Sequence, residues 1–418
     1  MERTYSTEIK DKIGSEVTIK GFVQAIRDQG SIKFLIIRDL KGLVQVVVLK
    51  SAKEVFEAVG SLTIESVVEI TGTAKEDKQA PGGFEVAASE IKVLSAAAPE
   101  LPIPVVVEKS GDETDVSKRF DWRVLDLRRP EKQEIFKTWT LLEKGFREYF
   151  EKEGYTQIYA PSIMSTASEG GAEVFEVKYF DRKAYLAQSP QFYKQMAMAS
   201  GFEKVFMVGP VFRAEPSYTT RHMTEFTGWD FEISYIESHQ DVMDAVEGAF
   251  RSGFKAVGEK LPKEKFPRIS VAEAKKKLGN SGHEMSPEEE KEIGRLIKEE
   301  TGSDFVFLID YAPAGRAFYH MRHEDNSKLT KGFDLIYKGL EVVTGAQREH
   351  RYDVLLEQAK ERGVDVESLE DYLNFFKYGC PPHGGAGIGP GRIIMKLLDL
   401  PSVKEATFLP RDVKRLRP

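Results

Sequence analysis

The chain has 418 residues, of which 41% are hydrophobic, 11% aromatic and 30% charged, the balance of an ordered protein large enough for two or three domains. A net charge of −7 excludes a bulk basic field, so any RNA contact must come from local patches, and a single cysteine excludes an internal disulfide or a thiolate-rich zinc site. No run is apolar enough to span a bilayer and Met1-Glu-Arg-Thr-Tyr-Ser lacks a signal core, so a cytoplasmic protein with no membrane partner is expected.

Residues 16–26, 32–39, 43–49, 64–72 and 84–94 are rich in Val and Ile and are separated by turn signals such as Asp-Gln-Gly and Ala-Pro-Gly-Gly. Short strands at this density predict a small five-stranded barrel of the oligonucleotide-binding (OB) kind over residues 1–100. A Pro-containing, charged stretch follows at 98–118, and 101–130 is read as a hinge between domains. Ile135, Trp139, Leu142, Phe146, Tyr149 and Phe150 fall at helical spacing within 131–153, with Gly154 as the C-cap. Strand-like segments dominate 155–235. Residues 240–301 are charged and helical in character, and about 240–330 is read as a solvated insertion. Strand patterns return at 304–311 and 333–344, and a glycine-rich loop opens a last helix near 391–399. Strands and helices mix without regular alternation, which predicts an α+β domain over 131–418, an antiparallel sheet flanked by helices.

The stretch Phe212–Phe226, FRAEPSYTTRHMTEF, packs Arg213, Glu215, Arg221 and His222 between two apolar, strand-like runs. Charges on an exposed hairpin are one reading. A nucleotide phosphate site is the other, since arginine forks match phosphate oxygens and Phe226 offers a face to a purine. GGAGIGPGRIIMKLL is no dinucleotide fingerprint; it is either a turn into a core helix or backbone brought close to a ligand, with Arg392 in the first helical turn. In FDLIYKGLEVVTGAQR, Asp334, Glu341 and Thr344 supply oxygens suited to Mg²⁺ on nucleotide phosphates, or Asp334 and Glu341 are solvated hairpin acids. His320 and His323 lack a third ligand at matching spacing and are read as surface or substrate-adjacent.

Pro161 after a long helix and strand, then FRAE…RHMTEF, then Gly-x-Gly-x-Gly-x-x-Arg ending at Arg392, resemble in this order the three signature motifs of class II aminoacyl-tRNA synthetases. With the N-terminal barrel the chain is similar over its whole length to subclass IIb, most closely to archaeal-type aspartyl-tRNA synthetases. That resemblance implies a homodimer with Pro161 at its interface, using ATP, Mg²⁺, L-aspartate and tRNA(Asp). It implies that Arg213 grips the α-phosphate and substrate carboxylate, while Phe226 stacks on adenine beside Glu215. Arg221 and His222 hold the outer phosphates, Arg392 the γ-phosphate, and Met223 and Gly389 belong to the same nucleotide set. Glu341, Thr344 and Asp334 ligate Mg²⁺. Gln191, Lys194 and Arg348 read the aspartate, with Glu169 and Asp230 around its amino group. Lys194 separates aspartyl from asparaginyl members, which generally lack it. On the barrel, Phe34, Gln45 and Glu85 match anticodon-contacting positions, although alternation alone equally allows Phe34 a core place.

Two departures stand out. Gly391 occupies the position where the family usually has an acid, and Gln24 and Pro81 stand where strict aspartyl enzymes tend to carry tryptophan and lysine. The second departure implies relaxed discrimination, with tRNA(Asn) as a further acceptor. Two other readings share the fold: a synthetase for asparagine or lysine, against which Lys194 and Arg348 argue, and a catalytically weakened RNA-binding paralogue.

Overall fold

The computed structural model describes residues 2–106, 113–166 and 173–418. The chain forms two compact units, Met1–Lys118 and Arg119–Pro418. In the first, β1 (Glu16–Asp28), β2 (Ile32–Arg38), β3 (Leu43–Leu49), α1 (Lys53–Gly60), β4 (Val67–Glu76) and β5 (Phe84–Ser95) follow one another. The strands close a barrel in the order β1-β2-β3-β5-β4. Period-two alternation drives this closure: Val17, Ile19, Leu35, Ile37, Val46, Val68 and Ile70 point inward, joined by Val55 and Val59 of α1. Phe34 is half-buried on the outer face rather than in this core.

The second unit begins earlier than the sequence reading placed it. Residues 119–130, read as linker, are largely helical, in the end of α2 (Val116–Asp121) and in α3 (Arg123–Asp126). Arg123 and Asp126 are completely buried, joined at 2.6 Å, and Arg119 donates to Glu405 at 2.7 Å. These charges look solvated in sequence because their partners include residues near the other end of the chain.

Next come α4 (Pro130–Lys152), β6 (Thr156–Gln157), β7 (Ile163–Met164), β8 (Glu176–Tyr179), β9 (Arg182–Leu186), α5 (Gln191–Ala199), β10 (Lys204–Phe212) and β11 (Glu225–Ser234). They are followed by α6 (His239–Ala256), β12 (Arg268–Ser270), α7 (Val271–Lys277), α8 (Pro287–Thr301), β13 (Phe305–Ile309), β14 (Gly332–Tyr337) and β15 (Leu340–Arg348). The chain closes with α9 (Tyr352–Glu361), α10 (Glu370–Lys377), β16 (His383–Ile388) and α11 (Pro390–Leu397). Eight strands form one sheet in the order β12-β13-β14-β15-β16-β11-β10-β6; only the edge pairs β12/β13 and β10/β6 are parallel.

Each central strand sends alternate residues to opposite faces. Trp229, Phe231, Val343, Ala386 and Ile388 pack on one face with Leu142 and Phe146 of α4 and Val242, Val246 and Phe250 of α6. The solvated-insertion reading of about 240–330 therefore does not hold for α6, whose apolar stripe is part of the main core. Nor does it hold for β12 and β13, which extend the sheet. Charged residues on the outer face of α6, Asp244 and Lys255 among them, hid that stripe. At the β12–β14 end, α7 and α8 cover the opposite face through Ala274, Ile293, Ile297, Leu308 and Ile336.

Candidate active site

The face of β11, β16 and β15 turned away from the main core carries Phe226, Gly228, Asp230 and Glu232, then Gly385 and Gly387, then Thr344, Ala346 and Arg348. Register puts Asp230 opposite Gly387 and Glu232 opposite Gly385, with Thr344 and Ala346 on the far side of those glycines. A Cβ on Gly385 would meet Glu232 Oε2 at 2.1 Å, so glycine there is what lets the acid lie across the sheet. The glycine-rich segment is thus a floor strand as well as the approach to α11.

On this floor, Lys194 of α5 donates to Asp230 Oδ1 at 2.7 Å and to the Ala386 carbonyl at 3.1 Å, and its Nζ lies 3.5 Å from Glu232 Oε2. Arg348 Nε donates to Glu232 Oε1 at 3.0 Å and Nη2 to the Gly385 carbonyl at 2.9 Å. Two buried cations and two buried carboxylates therefore neutralise one another, which is what ionised groups in a closed pocket require. Glu232 was missed in sequence although it lies two residues beyond Asp230, the spacing that puts both on one strand face. Gln191 reaches this cluster indirectly: it donates to Gln195 Oε1 at 2.8 Å, and Gln195 contacts His383 at 3.1 Å. Glu169 lies outside the described residues. His320 is not on the surface: it is buried and accepts from Arg348 Nη1 at 3.4 Å, and burial followed by the Arg348 charge depresses its pKa. His323 pairs with Asp310 at 3.0 Å.

The residues of the FRAE…RHMTEF stretch lie toward the other end of the same face. Arg213 stands over the Phe226 ring, 5.6 Å to its centroid, and 3.6 Å from Glu215; its Nε donates to the Gln188 carbonyl at 3.4 Å. His222 lies 3.8 Å from Glu215 and 2.6 Å from Thr219 Oγ1. Burial, then the Arg392 charge, lowers its pKa from the ordinary histidine value. The Met223 side chain faces elsewhere, packed with Leu340, Met395 and Val403 against Phe226, and it supports the ring. Gly209 and Gly228 oppose each other beyond Phe226, leaving a trough without side chains.

Glu341 reaches this side because of a β-bulge. Leu335 opposes Val343 but Ile336 opposes Glu341, so Val342 is the extra residue and Glu341 turns to the face that carries Thr344. Thr344 Oγ1 donates to Glu341 Oε1 at 3.1 Å, and Arg392 donates to the Glu341 carbonyl at 3.0 Å and to Oε1 at 3.3 Å. Arg392 is thereby aimed by Glu341, and Gly391 next to it needs no acid for that purpose. Gly389, the N-cap of α11, donates to the Val342 carbonyl at 2.9 Å. Among the described residues no three His, Cys, Asp or Glu converge as a metal site. The oxygens of Glu341 and Thr344 fit one side of a hard cation whose other ligands are phosphate and water. Asp334 fits that role less well, because Arg316 holds it with two hydrogen bonds, one of them 2.8 Å.

Sequence reasoning also missed Glu290 of α8. It is buried, with its carboxylate 3.3 Å from Arg221 Nη1 and beside the Glu341 backbone; burial and the nearby Glu341 charge raise its pKa to about 7.

The model of class II tRNA synthetases for D, K and N matches residues 115–413, and that of the OB-fold nucleic-acid-binding domain matches 17–94. The chain belongs to the class II tRNA synthetases. This synthetase is 42% identical to the aspartate–tRNA(Asp/Asn) ligase of Aeropyrum pernix over 97% of its own length and 96% of the relative's. It is 40% identical to the aspartate–tRNA(Asp) ligase of Pyrococcus abyssi, covering 99% of each chain. Among solved structures, the asparaginyl-tRNA synthetase of Pyrococcus horikoshii with asparaginyl-adenylate superposes with a TM-score of 0.91 at 32% identity, covering 100% of both chains.

On the synthetase's barrel, Phe34, Gln45 and Glu85 share one outer face across β2, β3 and β5, and Gln45 donates to Glu85 at 3.0 Å. Gln24 sits at a bulge of β1 and accepts from Arg38, whose guanidinium is fixed by Glu65 at 2.7 Å. Pro81 is exposed in the turn before β5. In the catalytic unit, Pro161 is exposed between Tyr159 and Ile163, which are also exposed. No helix is long and apolar enough, among the described residues, to cross a membrane.

Proposed function

We propose that this synthetase joins L-aspartate to tRNA(Asp) in the cytoplasm, as a homodimer through the Pro161 face. The aspartate α-carboxylate attacks the α-phosphorus of ATP and pyrophosphate leaves. The terminal adenosine hydroxyl of the tRNA then attacks the aspartyl carbonyl and AMP leaves. Both steps depend on positioning and charge neutralisation rather than on a protein nucleophile. Arg213 serves the α-phosphate and the attacking carboxylate, Phe226 the adenine, and Arg221, His222 and Arg392 the outer phosphates. Mg²⁺, held by Glu341 and Thr344, would neutralise charge on the phosphates.

The observation that carries the amino-acid assignment is the buried cation pair Lys194 and Arg348, each already bonded to an acid or a carbonyl of the floor. A β-carboxylate offers acceptor oxygens to the remaining donors of both cations, whereas the amide of asparagine turns an NH2 donor toward one of them. Glu169, Asp230 and Gln191 then serve the amino end. The Asp/Asn names of relatives such as the Aeropyrum pernix ligase, with Gln24 and Pro81 on the barrel, support aspartylation of tRNA(Asn) as well.

ATP–pyrophosphate exchange with aspartate, asparagine and lysine in turn tests the first reading, and exchange with asparagine but not aspartate sinks it. Charging purified tRNA(Asp) and tRNA(Asn) with aspartate tests the second. A product with tRNA(Asp) alone rules out relaxed acceptance.

A further inference from the structure

We propose that Glu290 of α8 is a positioning residue for ATP: it holds the Arg221 guanidinium toward the outer-phosphate end of the nucleotide site. The proposal rests on the reading that Arg221 binds those phosphates. Three observations carry it.

Glu290 is placed with little freedom. Its carboxylate lies beside the Glu341 backbone near the bulge, where Val342 interrupts the ladder between β14 and β15. Its helix is pinned against the β14–β15 turn by two glycines: a Cβ on Gly294 would lie 3.0 Å from Gly339 Cα, and one on Gly339 would lie 2.8 Å from Lys291 Cα. Any larger residue at either position would push α8, and Glu290 with it, away from the turn.

Arg221 by contrast sits on a loop between strands, and its only ion pair among the described residues is with Glu290, at 3.3 Å. A flexible arginine loses side-chain entropy when a phosphate captures it, and prior fixation by a buried acid reduces that loss. One of five donors is used by Glu290, which leaves the rest of the guanidinium for phosphate oxygens.

Finally, one short path joins the groups expected around the outer phosphates. Glu290 bonds Arg221 and lies beside the backbone of Glu341, while the Glu341 side chain bonds Thr344 and Arg392. The helix read as a solvated insertion therefore supplies a wall of the nucleotide site.

The test compares full-length wild type with Glu290→Gln, Arg221→Ala and the double variant in ATP–pyrophosphate exchange at saturating aspartate, after melting curves confirm folding. Arg221→Ala raises KM for ATP if Arg221 binds phosphate. Glu290→Gln is expected to raise KM for ATP about tenfold, the scale of one hydrogen bond to a charged group, with kcat within about twofold and KM for aspartate unchanged. The double variant is expected to be no worse than Arg221→Ala alone, because Glu290 acts through Arg221. An unchanged or lowered KM for ATP in Glu290→Gln, or additive effects in the double variant, overturns the proposal while leaving the Arg221 assignment standing. An unchanged KM in Arg221→Ala overturns both.

Discussion

Lys194 and Asp230 form a 2.7 Å ion pair in which the lysine side chain is 1% and the aspartate 8% exposed. Lys194→Leu leaves Asp230 without its cation and removes half of the positive charge beside Glu232. The expected outcome is a loss of about 3–5 kcal/mol of stability, the usual effect of breaking a buried pair from one side. Aspartate-dependent pyrophosphate exchange should disappear, while ATP binding, centred on the Arg213 and Arg392 end of the face, changes by less than about threefold. Equilibrium dialysis with labelled ATP checks this, and loss of nucleotide binding would show the lysine's role to be misassigned.

Gly385→Ala puts a methyl group 2.1 Å from both Glu232 Oε2 and the Phe231 carbonyl. Backbone on a central strand cannot retreat, so the variant is expected to lose about 1–3 kcal/mol and to displace Glu232 from Arg348. Urea unfolding and KM for aspartate are the readouts. Wild-type values for both would refute the floor-strand account.

Glu341 and Asp334 should separate in their magnesium dependence. Glu341→Gln is expected to raise the Mg²⁺ concentration for half-maximal exchange by about tenfold or more. Asp334→Asn should act mainly on stability, because Arg316 is left without its carboxylate. Equal magnesium shifts in both variants would make Asp334 a ligand on the same footing as Glu341.

Acid stability should depend on Glu405. Burial alone would raise its pKa, but hydrogen bonds from Arg119 and Lys132 outweigh burial and hold it at about 2 against an ordinary 4.5. A depressed folded-state pKa means the contribution is complete above pH 4.5 and is lost as pH falls toward 2. Glu405→Gln should therefore be less stable at pH 7 and show a flatter decline across that window. Urea midpoints at a series of pH values decide the matter, and parallel curves for the two proteins would count against it.

The barrel was legible because Val and Ile alternate with polar residues along each strand, a signal that needs no tertiary information. The Arg213–Phe226 stretch could be singled out because two apolar runs hold its charges on one loop, and the structure does bring Arg213 over Phe226 and beside Glu215. What escaped notice depended on partners distant in sequence. Arg119 and Arg123 look like linker charges until Glu405 meets both of them, and Glu290 looks like one more acid in a charged helix until Arg221 meets it. Asp334 looked like a ligand because nothing in FDLIYKGLE reveals Arg316. The apolar stripe of α6 was readable at helical spacing, yet the charges on its other face masked it.

The strand that carries the floor glycines, β16, spans His383–Ile388 and lies between β11 and β15. Both neighbours precede it in the chain, so each must wait for β16 to find its inner partner. Until β16 joins them, the sheet has two unpaired inner edges, the kind of exposed backbone that invites pairing with other chains. The working surface is thus closed by a strand that follows both of its neighbours in the chain. A chain interrupted before His383 keeps Lys194, Asp230, Glu232 and Arg348 but lacks the floor strand that seats them and Arg392 of α11, so its site is incomplete.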